Sequence, residues 1–258
     1  MEIKRLNAVR GWIWVKQGYQ LIMLNPLMSI TLALMGALTL FLALKVPVFG
    51  PLLVLLLMPV LIAGYARACR ALEEGEPVEL VQMFAGFEKH TARLAALGSF
   101  LLVGMLIASM AMILTGGEAL QALLENAKAA NNPQMLVDAM WTAGSGVAFS
   151  VMLGFALMFV LMLAFQYAPM LVYFSDVPPF AAMRSSLYGS LRNLVPYTVY
   201  SLIMQVIAVA LSILPYGIGL IVLLPLGFTS LYVSYRNIFP FPDEVVAMTP
   251  PSESPSGE

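Results

Sequence analysis

The sequence predicts an all-α fold, a polytopic membrane bundle in which six transmembrane helices form three hairpins, each preceded by an interfacial amphipathic helix. Composition is the first support: hydrophobic residues make up 60% of the 258 residues and charged residues only 10%, against about 25% in a typical soluble domain. The second is a count of apolar stretches, because six of them approach the roughly 20 residues that cross a bilayer core. The third is a pattern of amphipathic segment, hairpin and proline that occurs three times along the chain.

The same composition excludes several classes of protein. A chain this apolar is not disordered as a whole. With 13 basic and 14 acidic residues it has no basic face for nucleic acid, so we expect no nucleic-acid partner. The single cysteine, Cys69, cannot form an intramolecular disulfide. The mean hydropathy of +0.88 indicates that lipid is the main solvent.

The predicted membrane domain covers residues 1–238. Its six spans cover about 27–44, 51–66, 94–114, 147–174, 195–214 and 218–235. Proline and glycine in the connections 45–51 and 215–217 are typical of tight turns, which predicts antiparallel hairpins, and residues 116–146 form a longer outer loop. The remaining segment, 239–258, has five prolines, four acidic residues and no basic residue, which predicts a disordered cytoplasmic tail.

An amphipathic segment on the cytoplasmic side precedes each predicted hairpin. Helices with one apolar and one polar face lie in the membrane interface, with the apolar face toward the acyl chains. The three apolar stripes are Ala8, Trp12, Val15, Tyr19 and Ile22, then Leu80, Val81, Phe84 and Phe87, then Phe180, Met183, Leu187, Leu191 and Leu194.

The even-numbered spans share a proline that is followed by tyrosine near the cytoplasmic end. Pro59, Pro169 and Pro225 are predicted to kink these helices, because a proline inside a helix removes a backbone hydrogen bond. The tyrosines suit the aromatic belt at the membrane interface. We interpret the chain as three diverged copies of one interfacial helix plus one hairpin.

The basic residues predict the orientation in the membrane. Eleven of the thirteen fall on one side of the predicted spans, and only Lys45 and Lys128 fall on the other. Because an excess of Lys and Arg in short loops marks the cytoplasmic side, we expect both termini to be cytoplasmic. The eleven are Lys4, Arg5, Arg10, Lys16, Arg67, Arg70, Lys89, Arg93, Arg184, Arg192 and Arg236.

The spans carry no Asp, Glu, Lys, Arg or His well inside the membrane. Intramembrane ionisable residues mark proton relays and ion pathways, and acid–base catalysis also requires them. His90 is the only histidine, which is too few for a zinc site. We therefore expect no enzyme activity, no cofactor and no metal.

Polar residues on the fourth and fifth spans form one candidate site. Gln166 and Tyr167 lie on the fourth span, and Gln205 lies on the fifth. They form either a small intramembrane polar pocket or hydrogen bonds between helices, which contribute about 0.6–2 kcal/mol each.

A second candidate site lies at the cytoplasmic mouth of the fourth span. Asp176 is separated from Arg184 and Arg192 by the segment Val177-Pro178-Pro179. The acid either pairs with one of these arginines, which we favour, or the arginines bind the head group of an anionic lipid.

Several short motifs lie in the last 90 residues, and one lies near the N-terminus. They are Tyr167-Ala168-Pro169-Met170-Leu171-Val172, Val177-Pro178-Pro179, Ser186-Leu187, Leu191-Arg192-Asn193, Thr229-Ser230-Leu231-Tyr232-Val233-Ser234-Tyr235-Arg236, and Gly11-Trp12 with Trp14-Val15. These motifs resemble an uncharacterised family of bacterial six-span inner-membrane proteins. The resemblance implies a location in the bacterial inner (cytoplasmic) membrane and implies no activity. More remotely, the layout is similar to the membrane domains attached to some glycerophosphodiester phosphodiesterases, without their soluble catalytic domain.

Two functions are compatible with these features. The first is a non-enzymatic membrane protein that binds membrane lipids, a partner membrane protein or further copies of itself, as the interfacial helices suggest. The alternative is a transporter or channel for a small apolar or weakly polar solute, with the proline-containing spans along its path. A polar cavity crossing the midplane would favour the alternative, and a dry, packed centre would favour the first function.

Overall fold

The computed structural model describes residues 3–130 and 144–241, and within these ranges its regular structure is entirely helical. The predicted all-α fold is confirmed. The helices are α1 (Arg10–Leu24), α2 (Pro26–Leu44), α3 (Gly50–Glu74), α4 (Ala85–Glu88), α5 (Thr91–Ala130), α6 (Ser145–Gln166), α7 (Ala168–Ser175), α8 (Pro179–Arg192), α9 (Leu194–Ser212) and α10 (Ile218–Ile238), with short 3₁₀ helices at Leu80–Phe84 and Pro215–Gly217.

Six helical segments of the described chain are long and apolar enough to cross a membrane, as predicted. They are α2, α3, the part of α5 that ends at Leu123, α6 together with α7, α9 and α10. The third of them continues past the predicted end at 114, and its backbone leaves the helical conformation at Gly117, where φ is +55°. Glycine adopts such a positive φ without a steric penalty. Of the predicted outer loop 116–146, residues 131–143 lie outside the described ranges.

Two of the even-numbered spans, α3 and α10, form the inner part of the bundle. In their most apolar 18 residues, α3 is 56% buried and α10 is 50% buried, whereas α9 is only 6% buried. Helix α7 is buried from Ala168 to Tyr173. The fourth span as a whole is no more buried than the first and third, at 22% in its most apolar 18 residues, so only its α7 part belongs to the interior.

Each short amphipathic element packs against the hairpin that precedes it in the chain. The Leu80–Phe84 turn and α4 pack on the first hairpin, mainly on α3, and α8 packs on α6 and α7 of the second. Helix α1 has no preceding hairpin and packs on α9 and α10 of the third hairpin. The order in which amphipathic elements pack on hairpins is therefore cyclic, and this arrangement is called the ring. This contact is close, since a Cβ built on Gly18 would lie 2.8 Å from the backbone nitrogen of Ser230.

The segment before α1 fastens the ring. The Asn193 side chain, which is only 1% exposed, accepts a hydrogen bond from the Leu6 N–H at 2.8 Å and donates one to the Lys4 carbonyl at 3.0 Å. The Lys4 N–H donates to the Ile238 carbonyl at 3.1 Å. The N-terminal segment is therefore bound both to the start of α9 and to the end of α10.

The three predicted kink prolines occupy two kinds of position. Pro59 and Pro225 lie inside α3 and α10, whereas Pro169 lies in the first turn of α7, directly after a break at Tyr167. Ser186 of α8 occupies the break: its hydroxyl accepts from the Tyr167 N–H at 3.0 Å and donates to the Leu163 carbonyl at 2.7 Å. The fourth span therefore consists of two helices, and the Ser186 side chain is inserted at the break between them.

Aromatic side chains fill the core where α7 and α10 end. Tyr235 stacks on Phe239, with 5.6 Å between ring centroids, and Phe241 lies 6.0 Å from Tyr235. The expectation of an interfacial tyrosine belt is wrong here, because Tyr65 and Tyr232 are 2% and 1% exposed and lie in the core.

The predicted tail 239–258 begins too early. Phe239 and Phe241 are 0% and 3% exposed and belong to the core cluster. Burying two phenylalanine rings stabilises the fold by several kcal/mol, so the packed part of the chain reaches residue 241. Residues 242–258 lie outside the described ranges.

Candidate functional site

A crevice opens on the side of the bundle between α6 and α9. Its volume is about 600 Å³, and its back wall is formed by α3 and α10. Helix α6 packs on α5 and α8, while α9 packs on α1 and α10, so the two flanking helices are held by different neighbours. Most of the lining is apolar, with Met58, Met162 and Phe228 among the larger side chains.

The polar part of the lining includes two of the three residues predicted to form an intramembrane pocket. Gln166, the last residue of α6, and Gln205 of α9 both line the crevice. Tyr167 does not: it is 1% exposed, and its hydroxyl hydrogen-bonds with Ser234 at 3.1 Å. The structure therefore brings the two glutamines to one cavity and places the tyrosine behind them.

Two further tyrosines, Tyr197 and Tyr200 of α9, line the same crevice. The Tyr200 ring meets Trp14 of α1 edge to face, with centroids 6.1 Å apart, so the helix that closes the ring also supports this wall. On the back wall Gly227 of α10 has no atom within 4 Å of the position of a Cβ. The absence of a side chain at this position leaves the crevice wide.

The second candidate site is not assembled as predicted. The end of the bundle at which α3, α7 and α10 finish is called the basic end. There Asp176 forms an ion pair with Arg93, and His90 Nε2 lies 3.3 Å from the same carboxylate oxygen. The favoured pairing of Asp176 with Arg184 or Arg192 is wrong, because α7 packs on the start of α5 while both arginines lie on the exposed side of α8.

Arg184 and Arg192 remain candidates for binding a lipid head group. In the described part of the chain neither has an acidic side chain within 4 Å. Arg184 lines a shallow groove of about 440 Å³ together with Ile3, Leu187 and Tyr188. Arg192 does not line this groove, so the structure does not unite the two arginines in one pocket.

An ion pair that the sequence did not predict joins the first and third hairpins. Glu73, near the end of α3, pairs with Arg236 of α10 and also accepts a hydrogen bond from the Tyr232 hydroxyl at 2.9 Å. More than 150 positions separate these residues in the sequence, and no local pattern marks them as partners. Because this pair has a structural explanation, we assign it no binding role.

Comparison with known proteins adds one relative. The chain is 30% identical over 259 residues to a protein of Burkholderia thailandensis whose name reads "Probable inner membrane protein", and the match covers 93% of this chain and 94% of the relative. No family model matches the chain, and no solved structure matches it. Nothing in these comparisons tests the more remote likeness to phosphodiesterase membrane domains, which stays a prediction.

Proposed function

This chain belongs to the same family as the probable inner membrane protein of Burkholderia thailandensis, and from that premise we propose that it is a non-enzymatic protein that binds membrane lipid in the crevice between α6 and α9. The proposal includes the orientation predicted from the basic residues, with the basic end and both termini in the cytoplasm.

The observation that carries the proposal is an apolar cavity of about 600 Å³ with its mouth between two membrane-spanning helices. In a bilayer that mouth faces acyl chains. Empty space of this size would forfeit the dispersion contacts of every side chain that lines it. A lipid that enters from the side restores those contacts, so the surrounding membrane supplies the occupant.

The crevice offers little to an enzyme. None of the described residues that line it is Asp, Glu, Lys, Arg, His or Cys. Its polar groups are amides and tyrosine hydroxyls, which orient a ligand by hydrogen bonds. This lining supports binding without chemistry.

The alternative of a transporter or channel is less well supported. A route along the bundle axis toward the basic end would pass the core cluster that contains Tyr235, Phe239 and Phe241, each at most 3% exposed. Opening such a route would expose several aromatic side chains, at about 1.5–3 kcal/mol each. The lateral mouth of the crevice requires no such rearrangement.

Two neighbouring substitutions test the proposal. Ala208→Trp places an indole inside the crevice, whereas Val209→Trp places the same group on the outer face of α9, where Val209 is 62% exposed. Protein released in mild detergent is weighed by native mass spectrometry, and retained lipids are counted. We expect the lipid-bound fraction to fall about fivefold or more in Ala208→Trp, equivalent to about 1 kcal/mol, and to be unchanged in Val209→Trp.

A second variant that fills the crevice shows whether a loss of lipid in Ala208→Trp could come from misfolding of that one variant. Gly227→Leu fills the crevice from α10, in the space where a Cβ meets no atom. Equal lipid retention in wild type, Ala208→Trp and Gly227→Leu would refute lipid binding in the crevice.

A further inference from the structure

The two glutamines of the crevice lie at different depths, and Gln166 is the one near the basic end. It directly precedes Tyr167, whose hydroxyl bonds with Ser234, four residues before the end of α10, at 3.1 Å. The Tyr167 ring also meets the ring of Phe239, just beyond the end of α10, with 5.7 Å between centroids. Gln166 therefore lies close to the level at which α10 ends.

On the facing helix α9, Tyr197 lies at the basic end and Gln205 lies deeper. Asn193, directly before α9, bonds to Lys4, and Lys4 bonds in turn to Ile238 at the end of α10, so α9 begins at the basic end. Tyr197 lies three residues after the first residue of α9, and Gln205 lies eleven residues after it. At a rise of 1.5 Å per residue, these positions are about 5 Å and about 16 Å from the start of the helix.

Below Tyr197 the lining of the crevice is mostly apolar. Its wall on α9 continues to Ala208, and its back wall includes Met58 of α3 and Leu224 of α10. From Tyr197 to Ala208 the crevice follows α9 for about 16 Å. Half of a hydrocarbon core about 30 Å thick is about 15 Å. The crevice therefore has the length of the acyl chains of one leaflet, and its polar end lies at the basic end.

A diacyl glycerophospholipid places its chemical groups at matching levels. Its charged head stays at the interface, and no charged side chain of the described lining would draw that head into the crevice. Directly below the head, two ester carbonyl groups accept hydrogen bonds and donate none. A glutamine amide has two N–H donors and a tyrosine hydroxyl has one, so Gln166 and Tyr197 offer donors at the level of the esters. The acyl chains fill the apolar part below.

We infer that the crevice binds a diacyl glycerophospholipid of the leaflet at the basic end, with Gln166 and Tyr197 donating hydrogen bonds to its ester carbonyls. This inference rests on the proposed function and adds the class of lipid, the leaflet and the residues that recognise it. Gln205 lies eight residues beyond Tyr197, about 12 Å farther along α9, beside the acyl chains. It therefore takes no part in recognition of the esters.

Competition between an ester-linked and an ether-linked phospholipid tests this assignment on the full-length protein. Dioleoyl phosphatidylcholine and its ether-linked analogue share their head group and chains, and the missing carbonyl oxygens give the analogue a lower mass. Equal amounts of both are added to the protein in mild detergent, and the bound lipid is identified by native mass spectrometry. We expect wild type to retain the ester lipid about fivefold more, which corresponds to about 1 kcal/mol of net hydrogen bonding.

Variants at the two depths of the crevice identify the donors. Gln166→Leu combined with Tyr197→Phe removes the donors at the basic end and should abolish the preference for the ester lipid. Binding of the ether lipid should be unchanged in this double variant, which shows that its crevice is intact. Gln205→Leu is the matched control, since it removes an amide from the same crevice at the level of the acyl chains, and it should keep the preference.

The outcomes separate this inference from the proposed function. If wild type binds the ester and ether lipids equally, or if the double variant keeps the preference, recognition of the esters by Gln166 and Tyr197 is overturned while lipid binding in the crevice stands. Loss of the preference in Gln205→Leu would place the esters at the deeper level and would also overturn it. If Ala208→Trp binds both lipids as wild type does, the crevice is not the site and both proposals fail.

Discussion

The close packing of α1 against α10 predicts that a side chain at position 18, where the protein has Gly18, lowers its stability. A Cβ at this position would lie 2.8 Å from the Ser230 nitrogen and 3.0 Å from its Cα, so α1 and α10 would have to separate by about 0.6 Å to reach an ordinary contact of 3.4 Å. The nearest obstructing atom, the Ser230 hydroxyl oxygen at 2.5 Å, can rotate away, but the nitrogen and the Cα belong to the backbone and cannot. We expect Gly18→Ala to destabilise the protein by about 1–3 kcal/mol, the usual cost of overpacking.

The control is Gly227→Ala on the other partner of this contact. No atom lies within 4 Å of its Cβ position, so alanine there should be neutral or stabilising by up to about 1 kcal/mol through helix propensity. Both variants are unfolded by SDS in mixed micelles, with tryptophan fluorescence as the readout. Equal stabilities for the two variants would refute the packing of α1 against α10.

Three further predictions concern other parts of the molecule. Ser186→Ala removes the hydroxyl that bridges the break in the fourth span and should cost about 1–2 kcal/mol in the same unfolding assay; a change below about 0.3 kcal/mol would mean that the inserted hydroxyl is not needed. Arg184→Gln with Arg192→Gln should lower the amount of copurified anionic lipid, at about 1 kcal/mol for each charge near the surface, and unchanged retention measured by lipid mass spectrometry would remove the head-group idea. Cysteines introduced at Lys45 and at Glu79, in a background with the native cysteine replaced by alanine, test the orientation. A membrane-impermeant maleimide should label the former in intact spheroplasts and the latter only after lysis, and the reverse order would invert the topology.

The introduced cysteines are needed because the native one cannot report. Cys69 of α3 is 1% exposed and lies in the hydrophobic core of the bundle. Its lack of reaction in intact cells would therefore say nothing about which side of the membrane it faces.

The spans could be predicted because lipid imposes a simple rule on sequence. A helix in hydrocarbon needs a long run of apolar residues, and such runs are visible without knowledge of their neighbours. The order of packing was not visible. Nothing in the residues of α1 indicates that it packs on the third hairpin, since its apolar face would suit any other.

The inward tyrosines show the same ambiguity. A tyrosine near the end of a span has the same local sequence whether it faces lipid head groups or the core. Tyr65 illustrates the second case, since its hydroxyl donates to the Ser29 carbonyl of α2 at 3.2 Å. Burial distinguishes the two cases, and only the fold provides it.

For the candidate site, the useful signal in the sequence was that polar side chains are rare in the apolar spans. Gln166 and Gln205 stood out as amides in apolar spans, and the structure brings them to one cavity. The pairing of charges was not predictable. Asp176 forms its ion pair with Arg93, 83 residues away, although two arginines are nearer in the sequence. Distance along the chain carries little information once helices pack side by side.

The most direct test of the lipid-binding proposal is a cryo-EM map of the protein in nanodiscs made from its native membrane, with an antibody fragment bound as a fiducial. We predict α6 and α9 held apart, with elongated density between them that runs from the membrane side to Gln166 and Gln205. A map in which α6 and α9 pack directly on each other, with no space or density between them, would contradict the proposed function.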